Sequence, residues 1–135
     1  MLDENHAEFI RNTREAYKRI GSIPCPAFSA ERVYFNAKGF DHLIFKNREY
    51  RSKREQIERT GLLPEAVRML ASCTRFSGYR DYAVETNAGL PSPRIMHHLW
   101  SFTREDGKRK ITVVIRQIGN GSKHFLSVMS KTKTP

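Results

Sequence analysis

Apolar residues recur every three to four positions in two segments of the chain, which is the pattern of helices with one buried side. In the first segment, residues 8–20, the recurring residues are Phe9, Ile10, Thr13, Ala16, Tyr17 and Ile20. The second begins near Pro64, a residue favoured in the first turn of a helix, and its recurring residues are Leu63, Val67, Leu70 and Ala71. Between them, residues 47–59 carry charges of both signs and predict a solvated helix.

The last third of the chain alternates apolar and polar residues, as strands do. The dipeptides Asp106-Gly107 and Asn120-Gly121 favour two-residue hairpin turns and divide this region into antiparallel strands. We place these strands at residues 95–104, 109–118 and 122–130. Upstream, the sequence predicts a short strand at 32–36, a turn at Lys38-Gly39, an apolar run at 40–46 and a loop at 87–93.

Taking both hairpin turns at face value fixes which side chains share a face of the sheet. Trp100 then lies opposite Val113, which lies opposite Val128, and all three belong to a buried face. His124 falls on this same face. The opposite face is mixed, and its polar members include His97, Arg116 and Ser127, with Lys123 at the rim.

These patterns predict one α+β domain, because 135 residues are typical of a single domain. We expect N-terminal helices to pack on one face of a C-terminal antiparallel sheet of about four strands. Within that domain, residues 1–24 form a helical arm, residues 25–130 form the main body and residues 131–135 form a flexible tail.

The charge of the chain narrows the range of partners. Lys and Arg number 24 against 14 Asp and Glu, which gives a net charge of +10 and favours nucleic acid or an acidic protein. We expect no membrane partner, because no run approaches the ~18 apolar residues of a spanning helix. The N-terminus also lacks the pattern of a signal peptide. With only Cys25 and Cys73, we expect a reduced cytoplasmic protein with neither a metal nor a cofactor.

Three local patterns follow one another along the chain: VYFNAKGFDHLI at residues 33–44, ITVVIR at 111–116 and KHFLSV at 123–128. Together they resemble the barnase–EndoU–colicin D–RelE-like (BECR) ribonuclease superfamily, in its phage-type and polymorphic-toxin branch, over roughly residues 25–130. The resemblance implies helices before a four-stranded antiparallel sheet and metal-independent cleavage of RNA, often transfer RNA. It also implies a toxin that acts in the cytoplasm, to which it can be delivered, and that an acidic immunity protein or antitoxin restrains.

Cleavage of RNA by its own 2′-hydroxyl requires a base, an acid and cations for the charge on the phosphorane. Histidine suits the first two tasks, since its pKa is ~6.5. The resemblance points to His42, His124 and the hydroxyl of Ser127. Arg116 is added because a cation among apolar strand residues needs an anion or an ion-pair partner, and Lys46 because it lies four residues after His42.

A second group of residues is expected to hold the RNA, namely Lys123, His97, Arg75, Arg80 and Tyr82. Arginines can cradle phosphate and a tyrosine can stack on a base. For the segment around residues 75–82, however, the sequence favours a plain solvated loop over this role. His97 and His98 are adjacent, so in a strand they point to opposite faces and cannot form a metal pair.

The sequence favours a metal-independent endoribonuclease that forms 2′,3′-cyclic phosphate ends. Its charge is equally compatible with a non-catalytic nucleic-acid-binding module or with a basic scaffold protein of a mobile element. The placement of His42, Arg116, His124 and Ser127 separates these functions, because only an enzyme requires them at one point of the sheet.

Overall fold

The computed structural model describes residues 4–85 and 94–132, and the predicted loop at 87–93 lies outside these residues. The fold is α+β, as predicted. Its helices are α1 (Glu4–Ile20), α2 (Ala37–Ile44), α3 (Lys53–Gly61) and α4 (Leu63–Ser72), with a short 3-10 helix at Pro26–Phe28. Its strands are β1 (Ser22–Cys25), β2 (Glu31–Tyr34), β3 (Phe45–Lys46), β4 (Glu49–Tyr50), β5 (Gly78–Glu85), β6 (Arg94–Asp106), β7 (Arg109–Ile118) and β8 (Lys123–Thr132).

Six strands form the main sheet in the order β1-β2-β8-β7-β6-β5, whereas we predicted about four. Neighbouring strands are antiparallel except for β2, which runs parallel to β8. Strand β5 occupies a segment that we predicted to be a solvated loop. It is an edge strand, and its side chains can be polar on both faces because solvent reaches them.

Both predicted hairpins are present, and the first has a different turn from the expected one. Asp106 pairs with Arg109, so Gly107 and the following residue form the turn, and Trp100 lies opposite Ile115 rather than Val113. The difference amounts to two residues, which keeps each side chain on its predicted face because strand side chains alternate with a period of two.

The second hairpin contains a bulge that changes the faces. Val113 lies opposite Val128 as predicted, but Ile115 lies opposite Phe125, which leaves Leu126 as an extra residue in β8. A one-residue shift moves every side chain between the bulge and the turn to the other face of the sheet. The predicted faces of Lys123, His124 and Phe125 are therefore wrong.

The bulge sends Phe125 into the core, where it is completely buried. His124 moves to the face that carries Arg116, directly opposite that residue. Lys123 moves to the core face, where it lies opposite the buried Val33 of β2.

One hydrophobic core joins the helices to the sheet. The sheet contributes Val33, Phe102, Ile111, Val113, Ile115, Phe125 and Val128, and the helices contribute Tyr17, Phe40, Leu43, Ile44, Leu63, Ala66, Met69 and Leu70. Trp100 packs against this core with part of its ring exposed. Trp100, Val113 and Val128 thus lie on one face, as the hairpin argument predicted.

Helix α2 replaces the predicted turn at Lys38-Gly39. Asn36 is its N-cap, and its side-chain oxygen accepts a hydrogen bond from the Gly39 backbone N–H at 3.3 Å. Gly39 has no side chain because α2 lies very close to β8: a Cβ atom there would collide with the carbonyl oxygen of Phe125 and the hydroxyl of Tyr17. The glycine marks a close approach between two elements rather than a turn.

The charge-rich segment at 47–59 is a hairpin followed by a helix, not one helix. Asn47 and Arg48 connect β3 to β4, and both have positive φ, 52° and 68°. This is the backbone of a tight two-residue hairpin turn. Helix α3 begins only after Ser52, whose side chain accepts a hydrogen bond from the backbone N–H of Glu55. In the part of the chain that the structure describes, no helix combines the length and the apolar character needed to cross a membrane.

Candidate active site

A row of side chains crosses five strands on the sheet face opposite the core, and we call it the polar row. Strand pairing places Tyr34 beside His124, His124 beside Arg116, Arg116 beside Leu99 and Leu99 beside Arg80. Adjacent strands lie about 4.8 Å apart, so the row is about 20 Å long. His124 and Arg116, which were predicted to act together, are neighbours in this row.

The neighbouring positions on the same face hold further predicted residues. Ser127 lies opposite Val114, one step along the strands from Arg116. On the other side of the row, His97 pairs with Tyr82, and their ring centroids are 5.2 Å apart. The face therefore brings together six predicted residues: Arg80, Tyr82, His97, Arg116, His124 and Ser127.

Arg116 and His124 are bonded to each other. The Nε of Arg116 donates a hydrogen bond to the Nε2 of His124 at 3.0 Å. Because that nitrogen accepts, the imidazole of His124 is neutral in this arrangement and carries its proton on Nδ1. Burial lowers the pKa of His124, the charge of Arg116 lowers it further, and a backbone hydrogen bond with Ser122 partly opposes both.

His42 belongs to the same cluster, although it comes from α2. Burial is the largest cause that lowers the pKa of His42, and the charge of Arg116 is the next. Arg51 stabilises the end of α2 that carries His42, because its Nε donates a hydrogen bond to the His42 carbonyl oxygen at 2.9 Å. We call His42, Arg116 and His124 the histidine–arginine cluster.

The histidine–arginine cluster combines two kinds of group that phosphate chemistry requires. A histidine held neutral near pH 7 can accept a proton from a hydroxyl. A guanidinium that is bonded to one neutral imidazole can stabilise the charge of a phosphate and of the phosphorane formed from it. The structure brings Arg116 and His124 into contact, and His42, on helix α2, is linked to them through the effect of the Arg116 charge on its pKa.

Two concave surfaces flank the cluster. On the α2 side, a cleft of 340 Å³ is lined by His42, Lys38, Asp41, Phe45, Lys46, Asn47, Arg48 and Arg51. On the β5 side, a depression of 290 Å³ is lined by Gly78, Tyr79, Arg80, Leu99, Trp100, Ser101 and Val114. Lys46 thus shares a surface with His42, as its spacing suggested, but it lies on β3 rather than on the same helix.

Lys123 is not at the site, contrary to prediction. Its Nζ lies 2.9 and 3.1 Å from the two carboxylate oxygens of Glu31, and 5.0 Å from the ring centroids of both Phe28 and Trp100. The bulge at Leu126 turns Lys123 to the core face, where it is buried. Its charge is satisfied inside the protein, so it is a structural residue.

Arg75 is also outside the site. It lies exposed between α4 and β5, and among the described residues no hydrogen bond, ion pair or ring contact links it to the polar row. His98 faces away from His97, as predicted for adjacent strand residues. Its Nδ1 lies 2.5 Å from the hydroxyl of Tyr79, and its ring stacks on Trp100.

The sequence did not predict a site role for three residues of this region. Tyr34 lies at the end of the polar row because β2 pairs in parallel with β8, a pairing that no turn motif reveals. Leu99 lies in the row between two arginines, and Arg51 supports His42 from a position nine residues later. The residue pattern around Tyr34 predicted a strand at this position. It did not predict that β8 would be the neighbouring strand.

Residues 4–85 and 94–132 contain no group of three or more His, Cys, Asp or Glu side chains placed to hold a metal ion. Comparisons with protein-family models, with curated proteins and with solved structures find no match to this chain.

The two histidines of the cluster should make stability depend on pH. Their pKa values in the folded protein are lowered below 6.5, so the unfolded chain binds more protons. Their contribution is present above pH ~6.5 and is lost as pH falls through the folded pKa values. We expect the free energy of unfolding in urea to fall between pH 7.5 and pH 5.5, and to fall less in a His124→Asn variant. Equal pH dependence in the two proteins would contradict this assignment.

Proposed function

We propose that this protein is a metal-independent endoribonuclease that cleaves by transesterification and leaves 2′,3′-cyclic phosphate and 5′-hydroxyl ends. One observation carries the proposal: the Nε of Arg116 donates to the Nε2 of His124 at 3.0 Å, and the charge of the same guanidinium acts on His42. A surface that only binds nucleic acid needs cations, but it does not need a neutral histidine bonded to one of them.

In this proposal His42 is the general base. Its lowered pKa keeps the ring neutral at pH 7, so a ring nitrogen can take the proton of the ribose 2′-hydroxyl. The 2′-oxygen then attacks the adjacent phosphorus, and the bond from phosphorus to the 5′-oxygen breaks as that oxygen takes a proton from solvent water. Desolvation keeps the ring unprotonated before the reaction, because a partly buried imidazole is poorly stabilised as a cation.

Arg116 binds the scissile phosphate and stabilises the phosphorane. Its guanidinium has several donors besides the Nε that is bonded to His124, and these can face the phosphate oxygens. His124 holds the guanidinium in place. The hydroxyls of Ser127 and Tyr34 lie on the same face and can donate hydrogen bonds to the phosphate.

The depression at the β5 side suits a nucleobase. Leu99 and Val114 provide apolar surface, Ser101 provides a hydroxyl and Arg80 provides a planar cation that can stack on the base. The lack of a side chain at Gly78 keeps the depression open, since a Cβ there would lie 3.0 Å from the Ser101 hydroxyl oxygen.

We extend the proposal to the cellular role that the superfamily resemblance implies. The helices would cover the core face of the sheet and leave the polar row open to RNA. A ribonuclease with a net charge of +10 that acts in the cytoplasm would harm its own cell, so we infer a toxin restrained by an acidic immunity protein or antitoxin.

The test is incubation of the purified protein with total RNA and with DNA in excess chelator, followed by analysis of the fragment ends. We expect RNA fragments with 2′,3′-cyclic phosphate and 5′-hydroxyl ends. DNA should survive, because it has no 2′-hydroxyl to attack. Intact RNA under all conditions, or cleavage of both RNA and DNA that chelator abolishes, would overturn the proposal.

A further inference from the structure

The cleft on the α2 side of the cluster is strongly cationic. Four of its lining residues carry positive charge and one carries negative charge: Lys38, Lys46, Arg48, Arg51 and Asp41. At 340 Å³ it can hold a phosphate group with part of its sugar. Cations concentrated in a concave surface raise the local potential more than the same charges spread over a flat one.

Three of these cations have no ion-pair partner among residues 4–85 and 94–132. Among the described residues, Lys38, Lys46 and Arg48 form no ion pair, and all three are exposed. Some surface arginines are neutralised by carboxylates, as in Arg54 with Glu58 and Arg104 with Glu65. In the cleft, the charges of Lys38, Lys46 and Arg48 stay available to a ligand anion.

The backbone fixes where this charge lies. Arg48 occupies the second turn position between β3 and β4 with φ at 68°, a left-handed conformation that suits glycine or asparagine better than arginine. The side chain of Arg48 is thus held at the tip of a short hairpin. An arginine occupies this position although its backbone conformation is unfavourable for that residue. This favours a binding role for the Arg48 side chain over a purely structural one.

Arg51 connects the cleft to the candidate active site. Its side chain is only 7 % exposed. Its Nε donates to the carbonyl oxygen of His42 at 2.9 Å, and its Nη1 donates to Glu55 at 3.1 Å. A ligand anion drawn to Arg51 would therefore lie against the end of the helix that carries the proposed base.

We propose that this cleft is a second phosphate subsite, which binds the RNA phosphate next to the scissile one. This inference rests on the proposed function, because only a ribonuclease has a scissile phosphate. His42 lines the cleft and also responds to the charge of Arg116, so the strand would pass from the cleft, across His42, to the polar row. The substrate is then single-stranded RNA with at least two consecutive phosphates, and a dinucleotide with one phosphate leaves the cleft empty.

The first experiment measures binding without cleavage. A fluorescent 2′-O-methyl RNA trinucleotide, which has no free 2′-hydroxyl, is titrated with wild-type protein and with the Lys38→Ala/Arg48→Asn variant at several salt concentrations. Asparagine at position 48 tolerates the positive φ, which protects the fold. We expect about tenfold weaker binding, and a slope of log affinity against log salt that is smaller by about 0.7, the value for one phosphate contact in a single strand.

The matched control is Lys110→Ala/Lys131→Ala, which removes the same charge from an exposed cross-strand pair on β7 and β8. We expect the control to keep the wild-type slope. An equal loss of slope in both variants, or no loss in either, would overturn the inference, and the second outcome is also expected if only an acidic protein uses the cleft.

The second experiment separates this inference from the proposed function. With cleavable substrates, the cleft variant should lower kcat/KM about tenfold for a trinucleotide and leave it unchanged for a dinucleotide. Cleavage with equal losses for both substrates would overturn the subsite while leaving the ribonuclease intact. Absence of cleavage, together with the slope difference in the binding experiment, would overturn the ribonuclease and leave an RNA phosphate site.

Discussion

A His42→Ala variant is expected to cleave RNA about 10²–10⁴-fold more slowly than the wild-type protein, because it lacks the general base. The side chain of His42 lines an open cleft and only its backbone carbonyl is bonded to Arg51, so the fold should survive the change. The measurement is kcat on a defined RNA oligonucleotide under single-turnover conditions, with the fold checked by circular dichroism.

The pH dependence of kcat identifies the role of His42. In the wild-type protein the rate should rise with pH through a pKa below 6.5, as the base loses its proton. The His42→Ala variant should lack this rise. His98→Ala is a matched control, since His98 lies on the opposite face of the sheet from the polar row. A folded His42→Ala protein with wild-type activity would show that another residue is the base.

A Gly39→Ala variant is expected to unfold more easily, by about 1–3 kcal/mol. The added methyl group would collide with the carbonyl oxygen of Phe125, which belongs to the backbone of β8 and cannot rotate away. Helix α2 would have to move from the sheet, and the buried contacts of Phe40 and Leu43 would loosen with it. Urea denaturation at pH 7.5 measures the difference in free energy of unfolding.

Gly61→Ala provides the comparison for Gly39→Ala. Gly61 is the last residue of α3, and a Cβ there would have no neighbour within 4 Å. We expect this variant to be unchanged or more stable by about 0.4–1 kcal/mol, because alanine restricts the unfolded chain. If the two variants had the same stability, the close approach of α2 to β8 would be incorrect.

The sequence predicted the parts of the fold that depend on local rules. Two turn dipeptides located strands β6, β7 and β8, and alternation assigned Trp100, Val113 and Val128 to one face. Helix α4 begins near Pro64 as expected. These features are readable because each arises from residues that are neighbours in the chain.

Features that depend on tertiary contacts were not readable. The bulge at Leu126 follows no local motif, and it reversed the predicted faces of His124 and Lys123. The Lys-Gly pair in α2 is typical of a turn, yet Gly39 is there because β8 lies against the helix. Edge strand β5 gave no signal because its two faces are both partly polar.

The candidate site divides in the same way. Residue type and resemblance are the basis on which His42, Arg116, His124 and Ser127 are candidates, since few side chains can perform this chemistry. Their arrangement could not be derived, because His42 reaches the cluster from a helix. Tyr34 was missed because its neighbour His124 is 90 residues away along the chain, in a strand that no hairpin connects to it.

The bulge at Leu126 separates the native alignment of this hairpin from a regular one that lacks the extra residue. In the regular alignment, without the bulge, Phe125 would face solvent beside Arg116 and the imidazole of His124 would enter the core. The native alignment buries the larger apolar ring and satisfies the ammonium of Lys123 with Glu31. The extra residue in β8 therefore determines whether a histidine lies beside Arg116. A molecule with the regular alignment would have a complete sheet and no histidine at that position.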